Sequence, residues 1–256
     1  MKRGKRMSND NYTVLENLYD KYVKPCLDEL DSGASFKKWT YRLLQLYAWY
    51  WLIYGAYSVL MGLFGDAGYF SGGATAMGVL GSLVSIAMSL FAVWYVYSIV
   101  NNRAGKLNGA EYTGVTYYVF GSIVPASGII LGEVSALILI ATGAIGLLGT
   151  LLNTTVYAPV GAFYGEWNCM LTYFVQYIPM WNSDAYTTNL AASTLGGSYS
   201  NFWSDVWLHL GFVLGGGYLL TAYYVAVEVY KYLYKLAVAV LNWIPEISLR
   251  FTIKQK

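Results

Sequence analysis

Two carboxylates are the first groups in this chain that could do chemistry. Between Tyr112 and Ser183, Glu133 and Glu166 are the only charged residues. A bilayer's hydrocarbon core is about 30 Å thick and takes roughly 20 apolar residues to cross as a helix. The stretch therefore has room for three crossings, with an ionisable group inside or beside two of them. A carboxylate placed there is expensive to ionise and by default faces protein or a water-filled cavity. The chemistry this offers is an ion or proton pathway with Glu166 and Glu133 as its membrane-embedded acids. The plainer alternative leaves Glu133 solvated in an outer turn and Glu166 hydrogen-bonded by Tyr or Thr hydroxyls. Neither has a cation to pair with inside the stretch.

A second pair of residues is Ser127 and His209. Pro125-Ala126-Ser127-Gly128, followed by Gly132, resembles the serine-bearing motif of rhomboid intramembrane proteases. That family has a six-span core with cytoplasmic termini. Its serine opens the fourth span and its histidine lies high in the sixth, where His209 falls. The resemblance implies a dyad in which His209 activates Ser127 as a nucleophile. Pro125 and Phe212 stand where the family has glycine, although Gly216 matches, and the second span lacks the family's histidine and asparagine. The plainer reading makes His209 an interfacial histidine beside Asp205.

Other chemistries are excluded by residue type. His209 is the only histidine, which rules out bis-His haem ligation and histidine-rich copper or iron sites. Cys26 and Cys169 have no metal or redox spacing. No glycine cluster precedes a GK[ST] sequence, so no phosphate-binding loop is present. No catalytic, cofactor-binding or metal residue is assigned, and no cofactor is expected.

The elements that must position these residues follow from composition. The chain is 57% hydrophobic and 12% charged, where soluble domains carry about 25% charged residues. Its 26 Tyr and 9 Trp suit membrane interfaces and helix packing. The expectation is an all-α integral membrane protein of about six transmembrane helices. Residues 1–42 form a cytoplasmic amphipathic helical segment, lying on the membrane or on the spans and interrupted at Pro25. Residues 43–228 form the membrane domain, with spans at about 43–64, 76–100, 107–125, 126–152, 157–181 and 205–228. The turn between the third and fourth spans could fall at Pro125 or at Gly132-Glu133, as a full hairpin or a re-entrant pair. Residues 229–256 form a basic juxtamembrane segment.

Charge sets the orientation. With this arrangement all 16 Lys and Arg fall on one side, while the opposite loops hold Asp66, Asp184, Asp205 and no cation. Positive charge is retained in the cytoplasm, so both termini are expected there.

Function is read from these faces. Glycine- and aromatic-rich helices with few buried charges suit a structural, scaffolding or channel-lining subunit of a larger membrane assembly. Respiratory, secretion, DNA-translocation and viral-envelope assemblies are the types that fit. A self-contained transporter or channel using Glu166 is the alternative, and the protease using Ser127 and His209 the second. The expected partners are the bilayer, other membrane subunits, and anionic lipid headgroups at the basic termini. No specific nucleic-acid contact is inferred.

Overall fold

The computed structural model describes residues 17–25, 28, 33–64, 75–158, 194–195 and 201–243. Four long helices dominate: α1 (Ala34–Phe64), α2 (Ala76–Gly109), α3 (Val115–Leu151) and α4 (Phe202–Trp243). Two-residue strands β1 (Val156–Tyr157) and β2 (Thr194–Leu195) pair antiparallel. The fold is all-α apart from that ladder, and α2, α3 and α4 are each long and apolar enough to cross a membrane. The Tyr and Trp content of α1 keeps it out of that set. A helical turn at Tyr19–Val23 is exposed and buries no residue, so this part of the amphipathic segment rests on none of the described helices. The span expected at 157–181 lies largely outside the described residues.

The expected break near residue 125 is absent. Residues 107–125 and 126–152 do not form two spans; Val115 to Leu151 is one helix. The physical reason lies in a π turn at Val119–Ile123, where Val124 N–H donates to the Val119 carbonyl five residues back. Pro125 has no N–H, so the next carbonyl, that of Phe120, loses its in-helix donor. The Tyr230 hydroxyl of α4 donates to that carbonyl instead, at 3.0 Å. A wide turn and a donor from the neighbouring helix thus carry the chain through proline, as at many mid-helix irregularities.

The helices pack in chain order as an antiparallel layer. α1 lies on α2, α2 on α3, and α3 on α4, with no substantial contact closing α1 against α4. Glycines on α3 set the closest approach to α4. Gly128 faces Val227, Gly132 faces Tyr223, and Gly143 and Gly146 face His209. Such small-residue seams let helix backbones meet where no water is available to drive packing. The core is aliphatic and runs through the middle of the layer, with Val96, Val134, Ile138, Ile145 and Leu219 almost fully buried.

The small residues of α2 have a different use from helix packing. Ser82 Oγ accepts from Tyr157 N–H at 2.9 Å, and Ser85 Oγ donates to the Tyr157 carbonyl at 2.6 Å. Gly81 leaves room for Val156 and Leu152. The serine face thus takes a strand, supplying backbone partners that an edge strand lacks. Ser85→Ala removes one buried hydrogen bond and should lower stability by about 1 kcal/mol, read as a fall in melting temperature in detergent. An unchanged melting temperature would show that β1 is not held there.

At the other end of the layer the chain turns tightly. Gly33 has φ of +73°, and a Cβ there would lie 2.2 Å from the Tyr112 ring, so only glycine fits. Lys37 Nζ donates to the Ala110 carbonyl at 2.6 Å, and the Tyr118 hydroxyl donates to the Leu107 carbonyl at 2.8 Å. The first bond satisfies a carbonyl at the end of α2, and the second adds to the Ala110 N–H that already donates to Leu107.

Candidate functional site

One polar layer crosses all four helices. On α1, Gln45 Nε2 donates to the Tyr41 hydroxyl at 2.7 Å and reaches Asn101 Oδ1 of α2 at 3.5 Å. Two residues on, Arg103 forks onto Glu133 of α3. Its Nε donates to Oε2 at 3.3 Å, and its Nη2 donates to Oε1. Tyr224 of α4 completes the group: its hydroxyl donates to Glu133 Oε1 at 2.5 Å and accepts from Arg103 Nη2 at 3.2 Å.

Each helix has a reason to bring its member here. Arg103 lies beyond the apolar run of α2 but before its end at Gly109, so the guanidinium projects from regular helix. Glu133 follows Gly132, whose missing side chain lets Tyr223 press onto α3 and sets its neighbour Tyr224 beside the carboxylate. The Arg103 and Glu133 side chains are only 16% and 19% exposed, which favours a pair over two separate ions. A partly desolvated ion pair is held by its geometry and by further hydrogen bonds to the same oxygens, and here both are present.

The finding corrects the expectation that Glu133 has no cationic partner. Ending the second span at residue 100 leaves Arg103 in a loop. The helix continues through it and delivers it to α3. Glu133 is thus neither alone in a span nor solvated in an outer turn. Glu166 lies outside the described residues, as do Cys26 and Cys169.

Ser127 and His209 are not brought together. His209 packs against Gly146, where an added Cβ would fall 2.2 Å from Nδ1. Ser127 and Gly146 sit on the same helix, roughly 28 Å apart at 1.5 Å per residue. The Ser127 hydroxyl donates to the Val124 carbonyl at 2.8 Å. His209 is 3% exposed, with Phe212 stacked on it at 6.4 Å. A nucleophile must lie within hydrogen-bond reach of its base, and this arrangement does not provide that.

The polar layer opens on one side into a groove of about 550 Å³ between α2 and α4, with α3 as its floor. Asn102, Arg103, Glu133 and Tyr224 line one end, and Leu137, Ile140 and Leu220 the other. Among the described residues no three His, Cys, Asp or Glu side chains converge to hold a metal ion. The groove was not foreseen, because its polar members come from three helices and none forms a local motif. The signal available was an arginine just past the apolar run of α2 and a lone glutamate flanked by apolar helix.

Comparison with known proteins adds no family: no protein-family model, curated protein or solved structure matches this chain.

Proposed function

We propose that the chain is a membrane-embedded structural subunit of a larger assembly. The observation that carries this reading is the open layer: among the described residues, α1 packs mainly on α2 and α4 mainly on α3. Their free faces are aromatic. Trp203 and Trp207 lie near the start of α4, where amphipathic rings suit a membrane interface. Trp49 and Tyr57 on α1 lie between the ends and are half exposed or more. Lipid tails offer such rings no polar contact, whereas another protein helix does.

The proposed topology has both termini on the cytoplasmic side, with α1 to α4 each crossing once. These are the four crossings of the described helices: α3, one helix, takes the place of the third and fourth spans of the sequence reading, and the span expected at 157–181 lies largely outside the described residues. Lys37, Lys38 and Arg42 at the start of α1, Arg103 and Lys106 near the end of α2, and Lys231 and Lys235 in the last part of α4 then share one side. The pairing of β1 with β2 returns the chain to the opposite end after residues 159–193. A transport reading now rests on Glu166, since Glu133 is neutralised by Arg103.

Gentle extraction from the native membrane, followed by native mass determination, tests the subunit reading. We expect stoichiometric partner proteins that persist through purification. A lone monomer or homo-oligomer would overturn it and move the reading to transport, with Glu166→Gln as the first variant.

A further inference from the structure

We propose that the groove beside the Arg103–Glu133 pair is a binding site for one zwitterionic phospholipid with an amine headgroup. The inference does not depend on whether the chain has partner subunits. It starts from the gradient along the groove. Asn102, Arg103, Glu133 and Tyr224 gather at one end, and Leu137, Ile140 and Leu220 line the other.

That gradient runs in the direction a lipid needs. From Val134 to Leu151, α3 carries no charge. This run spans about 27 Å at 1.5 Å per residue, close to one hydrocarbon thickness. Arg103 and Lys106 of α2 and Lys231 of α4 lie level with Glu133 or beyond it on one side, so Glu133 stands at that edge of the core. The aliphatic end of the groove climbs from Glu133 towards the bilayer centre, through Leu137 and Ile140. An acyl chain on this wall places its own phosphate level with Arg103.

Charge complementarity selects the headgroup. The site presents one cation and one anion side by side, so an anionic headgroup would gain at Arg103 and lose at Glu133. A phosphate joined to an ammonium matches both. Among the described residues, Arg103 uses Nε and Nη2 for Glu133 and Tyr224, which leaves Nη1 to donate to phosphate. Glu133 Oε2 accepts only from Arg103 Nε in this group and has a lone pair for the ammonium. The Tyr224 hydroxyl, donating to Oε1, holds the carboxylate in place while this happens.

The test uses the full chain, delipidated in a maltoside detergent, with lipid binding counted by native mass spectrometry. Phosphatidylethanolamine should occupy one saturable site. Diacylglycerol, which lacks the headgroup, glycerophosphoethanolamine, which lacks the chains, and phosphatidylglycerol, which lacks the amine, should each bind at least tenfold more weakly. Two variants probe the groove from its two ends. Arg103→Gln with Glu133→Gln removes both charges together, and Ser98→Trp fills the groove from its α2 side without touching the pair. Each should weaken phosphatidylethanolamine at least tenfold. Equal binding of diacylglycerol or phosphatidylglycerol would overturn the headgroup assignment, and equal binding of the chainless headgroup would show a free-phosphate site instead. Should either variant fail to fold, the ligand series on the unaltered protein decides alone.

Discussion

Replacing Arg103 with glutamine is expected to destabilise the protein by about 3 kcal/mol, near the lower end for breaking a buried ion pair. The reason is asymmetric. The substitution removes a bidentate partner and leaves Glu133 charged, mostly buried and anchored by the Tyr224 hydroxyl alone. Glu133→Gln should cost less, because a neutral amide is cheaper to leave there and can still bond to Tyr224 and Arg103. The double variant should recover a large part of the Arg103→Gln loss, since no uncompensated carboxylate remains. Unfolding in mixed micelles, followed by circular dichroism, reads all three. Strict additivity of the two single effects would mean that the pair does not couple α2 to α3.

Gly143→Ala is the second large effect. A Cβ at this position would lie 2.6 Å from the His209 carbonyl oxygen, 2.8 Å from Val213 Cγ2 and 3.0 Å from Phe212 Cβ. Side-chain ends can rotate away, but the His209 carbonyl is backbone inside α4, so the helices must separate. Overpacking of this kind costs about 2–3 kcal/mol, and separation also loosens the seam at Gly146 one turn on. Gly217→Ala on α4 is the control, because nothing lies within 4 Å of its added Cβ. That change should be neutral or stabilising by some tenths of a kcal/mol up to about 1, as alanine favours helix over glycine. Equal behaviour of the two variants would contradict the α3–α4 seam.

The two effects show which parts of the molecule were legible in the sequence. Membrane character, the helix at 76–100 and the packing role of the α3 glycines follow from composition and local pattern. The cation distribution gives an expected orientation without knowledge of any contact. The continuity of α3 was not legible. Pro125 flanked by Gly121 and Gly128 reads locally as a turn, and what keeps it helical is the Tyr230 hydroxyl, more than a hundred residues away. Helix ends misled in the same way. α2 continues past Val100 to Gly109, where Lys37 and Tyr118 donate to carbonyls at its end, and neither partner is adjacent in sequence.

The candidate site failed to show for a related reason. The sequence marks Glu133 as an ionisable group in an apolar run, but spans ending at 100 and starting at 107 leave Arg103 in a loop. An ion pair between helices is a property of register, and register between α2 and α3 is set by packing along both. The Ser127–His209 resemblance illustrates the converse: spacing in a glycine-rich chain matched a motif, while one straight helix kept the two residues apart. Ser82 and Ser85 of α2 bond to the backbone of Tyr157, 75 and 72 residues on, a pairing no local pattern announces.

The most direct test of this account is the sidedness of the two ends of α3. In a cysteine-free background (Cys26→Ser, Cys169→Ser), Gly109→Cys and Thr155→Cys place single thiols at exposed positions on either side of that helix. Labelling with a membrane-impermeant maleimide, in sealed right-side-out and inverted vesicles, reports the compartment of each. The account predicts opposite sides, with Gly109→Cys reactive from the cytoplasmic face and Thr155→Cys from the other. Labelling of both from the same face would mean that residues 115–151 cross twice, and would contradict the single-helix crossing on which the layer, the polar cluster and the lipid groove all depend.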